Sequence, residues 1–220
     1  MINCQNCGDL NKDDIKIYNE TLRKQNISIS PILPVCKRCG SEVSVLNKCG
    51  GGNIIVLNGT SGSGKSTISE MLTDQGYLAI DGDCVIQTVR HKTGRKQYEW
   101  SGLIDEIAYE IDVLSMFGQN IVLSHVILPD DLEKYIGIFE DRNLKYKFFL
   151  LKPEYQTAVA RCQSRTCHTS VTPEYWIKHF YDLLDFDDRV TVVDNTNMSA
   201  EETAEYILEK AGSDYGYKLN

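Results

Sequence analysis

The 220-residue sequence has no excess of basic charge and no long apolar run. Its 23 Lys and Arg are outnumbered by 31 Asp and Glu, for a formal net charge of -8 and a pI of about 5.0. Proteins that live on phosphate backbones carry a basic patch or a basic pI. The chain as a whole therefore supplies no long-range pull on nucleic acid, although a local patch is compatible with this total. The balance favours a small molecule as partner. No window approaches the roughly 18 to 20 apolar residues of a membrane span. The N-terminus, MINCQNCGDL, has neither the basic stretch nor the apolar core of a signal peptide. A cytoplasmic protein with reduced thiols and no membrane contact is the expectation. Internal repeats and low-complexity tracts are absent, and no motif specifies an oligomeric state.

Against those absences stand eight cysteines, four of them in two matching knuckles, Cys4-x-x-Cys7-Gly8 and Cys36-x-x-Cys39-Gly40. Two thiolates at this spacing reach one tetrahedral ion, and the glycine permits the tight turn around it. A segment this short holds too little core to fold alone, so a bound metal would supply the missing stability. Four thiolates leave no open coordination position, so a structural Zn²⁺ is expected, not a catalytic one. Cys49 lies outside the set. Gly50-Gly51-Gly52 packs no side chain and serves as a hinge. The predicted division is a zinc ribbon over 1–50 and a second domain over 51–220.

Beyond the hinge, strand and helix patterns alternate. Asn53–Asn58 (NIIVLN), Tyr77–Ile80, Asn120–Ser124, Tyr146–Leu151 and Val190–Val193 read as five short buried strands. Helices are expected at Ser66–Gln75, at Ile104–Phe117 with its stripe of Ile104, Ile107, Ile111 and Leu114, near Pro129 and Asp130, and at Glu154–Gln163. Two more follow, Pro173–Leu184 with Pro173 in its first turn and Ala200–Ala211. The last has Ser199 and Glu202 as a capping box and Gly212 as its stop. Such alternation predicts an α/β fold: a five-stranded parallel sheet with helices on both faces.

Gly59-Thr60-Ser61-Gly62-Ser63-Gly64-Lys65-Ser66-Thr67 fits G-x-x-x-x-G-K-[ST] in full, between a predicted strand and a predicted helix. Its backbone N–H groups can curl around phosphate oxygens, helped by the positive end of the following helix. Lys65 reaches the β- and γ-phosphates, and the Ser66 hydroxyl ligates Mg²⁺. The expected cofactors are accordingly ATP and Mg²⁺, with Zn²⁺ in the ribbon. Asp81-Gly82-Asp83 closes the second strand, at the end that faces the ligand crevice of an open α/β sheet. Either carboxylate could take the proton of an attacking hydroxyl or hold a metal-bound water. Asp and Gly are also ordinary turn residues.

The order GTSGSGKST, LAIDGDCVI, an Arg-containing segment and VVDNTNMSAEETAEYIL resembles the small P-loop kinases over about Asn53 to Ala211. That group includes adenylylsulfate kinase, gluconate kinase, chloramphenicol phosphotransferase and the kinase half of polynucleotide kinase. The resemblance implies the three-layer P-loop NTPase fold. It also implies a lid in which Arg161 and Arg165, four apart on one helix face, stabilise charge on the transferred phosphoryl group. Read alone, the pair is also compatible with a solvated basic face. Cys162, Cys167 and His168 nearby match no standard metal spacing. The resemblance further places Asn195, in Asp194-Asn195-Thr196-Asn197, around the adenine, where a simple turn is the alternative. Val89 to Trp100, with Arg90, His91, Arg95 and Tyr98, falls where these kinases build an acceptor wall, with an ordinary partly exposed helix as the alternative; His125 faces the same crevice in this reading, with a hydrogen-bonded structural role as its alternative. The expected function is ATP-dependent phosphorylation of a hydroxyl on a small molecule. The alternatives are a 5′-hydroxyl polynucleotide kinase and a non-catalytic ATP-binding module.

Overall fold

A computed structural model of the chain describes residues 2–10, 15–17, 34–41, 43–45, 52–94, 100–115, 120–164 and 172–215. Among the described residues, the N-terminal part forms five short strands: β1 (Ile2–Cys4), β2 (Gly8–Leu10), β3 (Ile15–Ile17), β4 (Pro34–Cys36) and β5 (Ser44–Val45). They pair in antiparallel fashion as β2-β1-β5 and as β3-β4.

From residue 53 the order is β6 (Asn53–Asn58), α1 (Lys65–Asp74), β7 (Leu78–Asp81), α2 (Gly82–Thr93), α3 (Trp100–Ser115) and β8 (Ile121–Ser124). A 3₁₀ turn (Pro129–Asp131) follows, then α4 (Leu132–Glu140), β9 (Lys145–Leu151), α5 (Tyr155–Ser164), α6 (Glu174–Leu183), β10 (Val190–Val193) and α7 (Ala200–Tyr215). The last five strands make one parallel sheet in the order β10-β9-β6-β8-β7. All six residues of β6 are buried, because parallel strands are covered on both faces. Alternate residues feed two cores. Ile54, Val56, Ile80, Leu123, Phe148 and Leu150 pack with α2, α3 and α4. Ile55, Leu57, Ala79, Val122, Phe149 and Leu151 pack with α1 and α7. β6 therefore sits at the centre, and the turn that leaves its carboxyl end opens where the strand order reverses.

The helix expected at Ile104–Phe117 begins earlier, at Trp100, and α2 was not among the expected helices; three further departures each have a physical reason. Asp81-Gly82-Asp83 is no free turn: Gly82 opens α2, and the Asp81 carboxylate caps it, its Oδ1 accepting from the N–H groups of Asp83 (2.9 Å) and Cys84 (3.3 Å). Pro173 is the extended N-cap of α6 and not a member of its first turn. Gly212 does not stop α7, which runs to Tyr215. Glycine ends a helix only where the chain turns into left-handed conformation, and Gly212 has no positive φ. The capping box that opens α7 does form, with Ser199 N donating to Glu202 Oε2 (2.7 Å) and Glu202 N donating to Ser199 Oγ (3.1 Å).

Candidate active site

The turn between β6 and α1 is a cradle of main-chain N–H groups. Asn58, at the end of β6, accepts a hydrogen bond from Gly59 N at 2.7 Å and so sets the direction in which the chain leaves the strand. Gly59, Gly62 and Gly64 all have positive φ, which turns successive amides inward. The N-terminus of α1 has no side-chain cap and no acidic residue in its first turn. Its amides and its positive dipole end are thereby left for an anion. Lys65 Nζ lies back across the loop, donating to the carbonyls of Gly59 (2.7 Å) and Thr60 (3.1 Å).

Three distant segments brace this turn. Thr60 Oγ1 donates to Ile177 O in α6 (3.1 Å), Thr172 Oγ1 meets Ser61 Oγ (3.2 Å), and Asn195 Nδ2 donates to Ser63 O (3.0 Å). The backbone of Gly62 rests directly against α5. Thr172 and Ile177 carry no motif, and only the packing reveals their part. In the sequence they are one residue of a loop and one apolar position of a helix.

A cavity of about 320 Å³ opens above the cradle, lined by Ser61, Lys65 and Ser66 on the phosphate side and by Asp81, Asp83 and His125 on the other. The two aspartates separate here. Asp81 spends one carboxylate oxygen on the helix cap, whereas Asp83 is exposed in the cavity. His125 is buried, and burial is the main cause that pulls its imidazole down to about 4; Asp83 and Asp131 oppose this and Lys65 reinforces it. The ring is neutral near pH 7.

Arg161, in the last turn of α5, lines this cavity and also a second one of about 160 Å³ bordered by Thr67, Asn195 and the start of α7. Its Nη2 donates to the carbonyls of Asn195 (2.9 Å) and Thr196 (3.2 Å). That pairing holds the guanidinium between the two spaces. The Asn195 amide is committed to the loop through Nδ2, while its Oδ1 is buried with no hydrogen-bond partner among the described residues. Arg165 lies outside the described residues, as do Cys167, His168, Arg95, Tyr98, Cys49 and the Gly50-Gly51 part of the hinge. Cys162 is buried in the small core between α5 and α6.

At the N-terminus the Sγ atoms of Cys4, Cys7, Cys36 and Cys39 all lie within 4.8 Å of one another. Both knuckles are closed by short turns, Cys7 N donating to Cys4 O (3.2 Å) and Gly40 N to Cys36 O (2.8 Å). Gly8 and Gly40 each follow their second cysteine with φ near +75° (75° and 76°). Hydrogen bonds from Ser41 hold the Cys39 thiol down to about 6. Four converging sulfurs fit the donor set of a closed tetrahedral thiolate site.

Residues 52–142 match the model of a family described as chloramphenicol phosphotransferase-like protein. No curated protein matches the chain. Among solved structures, a gluconokinase from Sinorhizobium meliloti 1021 superposes with a TM-score of 0.54 at 21% identity, covering 76% of this chain and 98% of its own. The tunicamycin resistance protein of Deinococcus radiodurans gives 0.56 at 17% identity, covering 73% and 96%. A sugar kinase from Janibacter sp. HTCC2649 gives 0.52 at 16% identity, covering 74% and 93%. The fold is that of the small P-loop kinases.

Proposed function

We propose that the chain is an ATP- and Mg²⁺-dependent kinase that transfers the γ-phosphate to a hydroxyl group of a small molecule. One observation carries this reading: the glycine-rich loop with Lys65 and the exposed Asp83 line one and the same cavity. The loop amides of residues 59–67 and the open end of α1 would hold the phosphates, with Lys65 swinging from its carbonyl partners onto the β- and γ-oxygens. Ser66 Oγ would hold Mg²⁺, which when bound offsets charge on the phosphates. The second cavity, next to Asn195 and the start of α7, suits the base. Arg161, between the two cavities, is placed to offset charge as it develops on the γ-phosphoryl group. Asp83 accepts the proton of the acceptor hydroxyl as that oxygen bonds to the γ-phosphorus and ADP leaves. Asp81 we assign to the cap of α2. Arg165 is proposed as the second lid arginine.

The four cysteines are proposed to hold one structural Zn²⁺ in a ribbon over residues 1–50, with the kinase domain over 51–220. The kinase assignment is tested by a γ-phosphate transfer screen over sugars, nucleosides, antibiotic-like hydroxyls and 5′-hydroxyl oligonucleotides. A labelled small-molecule product, lost in Lys65→Met, supports it. Transfer confined to oligonucleotides would move the acceptor class to nucleic acid. Calorimetry showing no heat with millimolar Mg-ATP would overturn the whole assignment.

A further inference from the structure

Gly82, the buried first residue of α2, has no positive φ, so its backbone conformation is open to any residue. Space is what demands glycine. A Cβ at this position would fall 2.1 Å from His125 Nδ1, 2.7 Å from Cγ and 3.0 Å from Cβ, the first two closer than any side chain tolerates. The main chain that carries the imidazole cannot give way. It is pinned, His125 N donating to Leu57 O at 3.1 Å. Two residues on, Ile127 is held through both its N–H (3.2 Å) and its carbonyl (2.8 Å) by the side chain of Asn58. On another side the ring meets Tyr135, centroid to centroid at 6.2 Å, and Tyr135 is fully buried. The preceding residue, Ser124, is paired with Asp81 in the sheet. The imidazole is thus a wedge between β8 and the first turn of α2, the turn whose amides Asp81 caps and which carries Asp83.

We propose that His125 is a positioning residue, whose ring sets the seat of α2 and thereby the distance between the Asp83 carboxylate and the phosphate cradle. This rests on the kinase reading, in which Asp83 receives the hydroxyl proton. The titratable and charged groups that face the ring are Asp83, Asp131 and Lys65. The ring stays uncharged across the working range, so it acts through shape. Displacement of a reacting group by about 1 Å costs on the order of 10²-fold in rate, and a methyl at position 82 forces a shift of that size.

The experiment compares wild type, Gly82→Ala, His125→Ala and the double variant in Mg-ATP affinity, kcat for the acceptor found by the screen, and melting midpoint. Gly82→Ala is expected to lower kcat by about 10²-fold while leaving Mg-ATP affinity within about threefold, because the cradle is braced from other segments. His125→Ala, which loosens the seat without blocking it, is expected to lower kcat by about tenfold. The double variant should regain most of the activity of His125→Ala, since the two ring atoms that clash are gone and the Cβ of residue 125, at 3.0 Å, need give by only a few tenths of an ångström. A double variant no faster than Gly82→Ala overturns the proposal. So does a pH–rate profile in which wild type has a limb that His125→Ala lacks, for that would make the imidazole a proton carrier. Wild type without transfer to any acceptor would refute the kinase reading instead. The melting midpoints still decide the contact in that case: losses that simply add in the double variant overturn the wedge, and recovery above Gly82→Ala upholds it.

Discussion

Replacing Gly62 by alanine tests whether the glycine-rich loop and α5, the proposed lid helix, are one rigid body. Gly62 has φ of +83°, and a Cβ there would lie 2.0 Å from Ala158 O, 2.9 Å from Ala158 C and 3.1 Å from Cys162 N. These are main-chain atoms of α5, next to side chains that are themselves fully buried, so no flexible side chain can yield. Left-handed conformation costs a non-glycine residue about 1 to 2 kcal/mol, and overpacking adds about 1 to 3 kcal/mol. A loss on the order of 3 kcal/mol corresponds to a fall of about 6 to 12 °C in melting midpoint for a chain of this size. Because α5 carries Arg161, its displacement also pulls the guanidinium off the carbonyls of Asn195 and Thr196, and ATP affinity should drop with the midpoint. Gly137 in α4 is the control. A Cβ there meets nothing within 4 Å, and alanine should raise stability by about 0.5 to 1 kcal/mol through helix propensity alone. Thermal denaturation and ATP titration of the two variants decide the matter. A Gly62→Ala protein that melts within about 2 °C of wild type and binds ATP normally would refute the close packing of loop on lid.

The aspartates should part company. Asp83→Asn should lower kcat by about 10² to 10⁴-fold, and Asp81→Asn should leave most of the turnover. Asp81→Ala should cost about 1 kcal/mol of stability by loss of a helix cap, as read by denaturant titration; equal loss of turnover on both sites would contradict the division of roles. Arg142 is buried and makes two hydrogen bonds to Asp112, Nε to Oδ1 at 2.7 Å and Nη2 to Oδ2 at 2.9 Å. Arg142→Ala should destabilise by about 3 kcal/mol, since it leaves a partly buried carboxylate without its counter-ion, and a chemical denaturation midpoint unchanged from wild type would refute this. Thiol modification should release about one Zn²⁺ per chain, read with a colorimetric zinc indicator, and Cys36→Ser should abolish that release; a metal-free preparation with native spectra would count against the ribbon. Burial holds His125 at about 4 against an ordinary 6.5, so the unfolded chain binds the extra proton between those values. Stability is then complete above about pH 6.5 and falls by up to about 3 kcal/mol as pH drops toward 4. Denaturant midpoints against pH should lose this slope in His125→Ala.

What was legible in the sequence was whatever the backbone dictates. The run NIIVLN admits little except a strand covered on both faces. The nine residues after it specify a phosphate cradle because their chemistry lies in main-chain amides and one lysine. All five parallel strands and both thiol knuckles were visible on the same grounds, since period and spacing are local properties. The site beyond the cradle was less legible. Asp81 and Asp83 looked alike because a cap and a proton acceptor use the same carboxylate, and only the hydrogen bonds to Asp83 N and Cys84 N tell them apart. Thr172, Ile177 and Gly82 gave no signal, for each acts through a partner 43 to 117 positions away. The extension of α7 past Gly212 was hidden because a glycine in helical φ looks the same in sequence as one that stops a helix.

The same division explains why the phosphate donor can be named more readily than the acceptor. On the proposed donor side, the amides of the loop and the open end of α1 would do the holding, with Lys65, Ser66 and Arg161 as the side chains that contribute, and the carbonyls of Asn195 and Thr196 hold the Arg161 guanidinium in place. On the proposed acceptor side, Asp83 rides on the first turn of α2, which closes against His125 at Gly82, and the outward residues of α2 answer to no backbone rule. A change at position 82 or 125 would move Asp83 without touching the cradle. Acceptor choice can therefore shift by a few side chains while nucleotide binding stays as it is, and for that reason the acceptor must be found by assay on this chain itself.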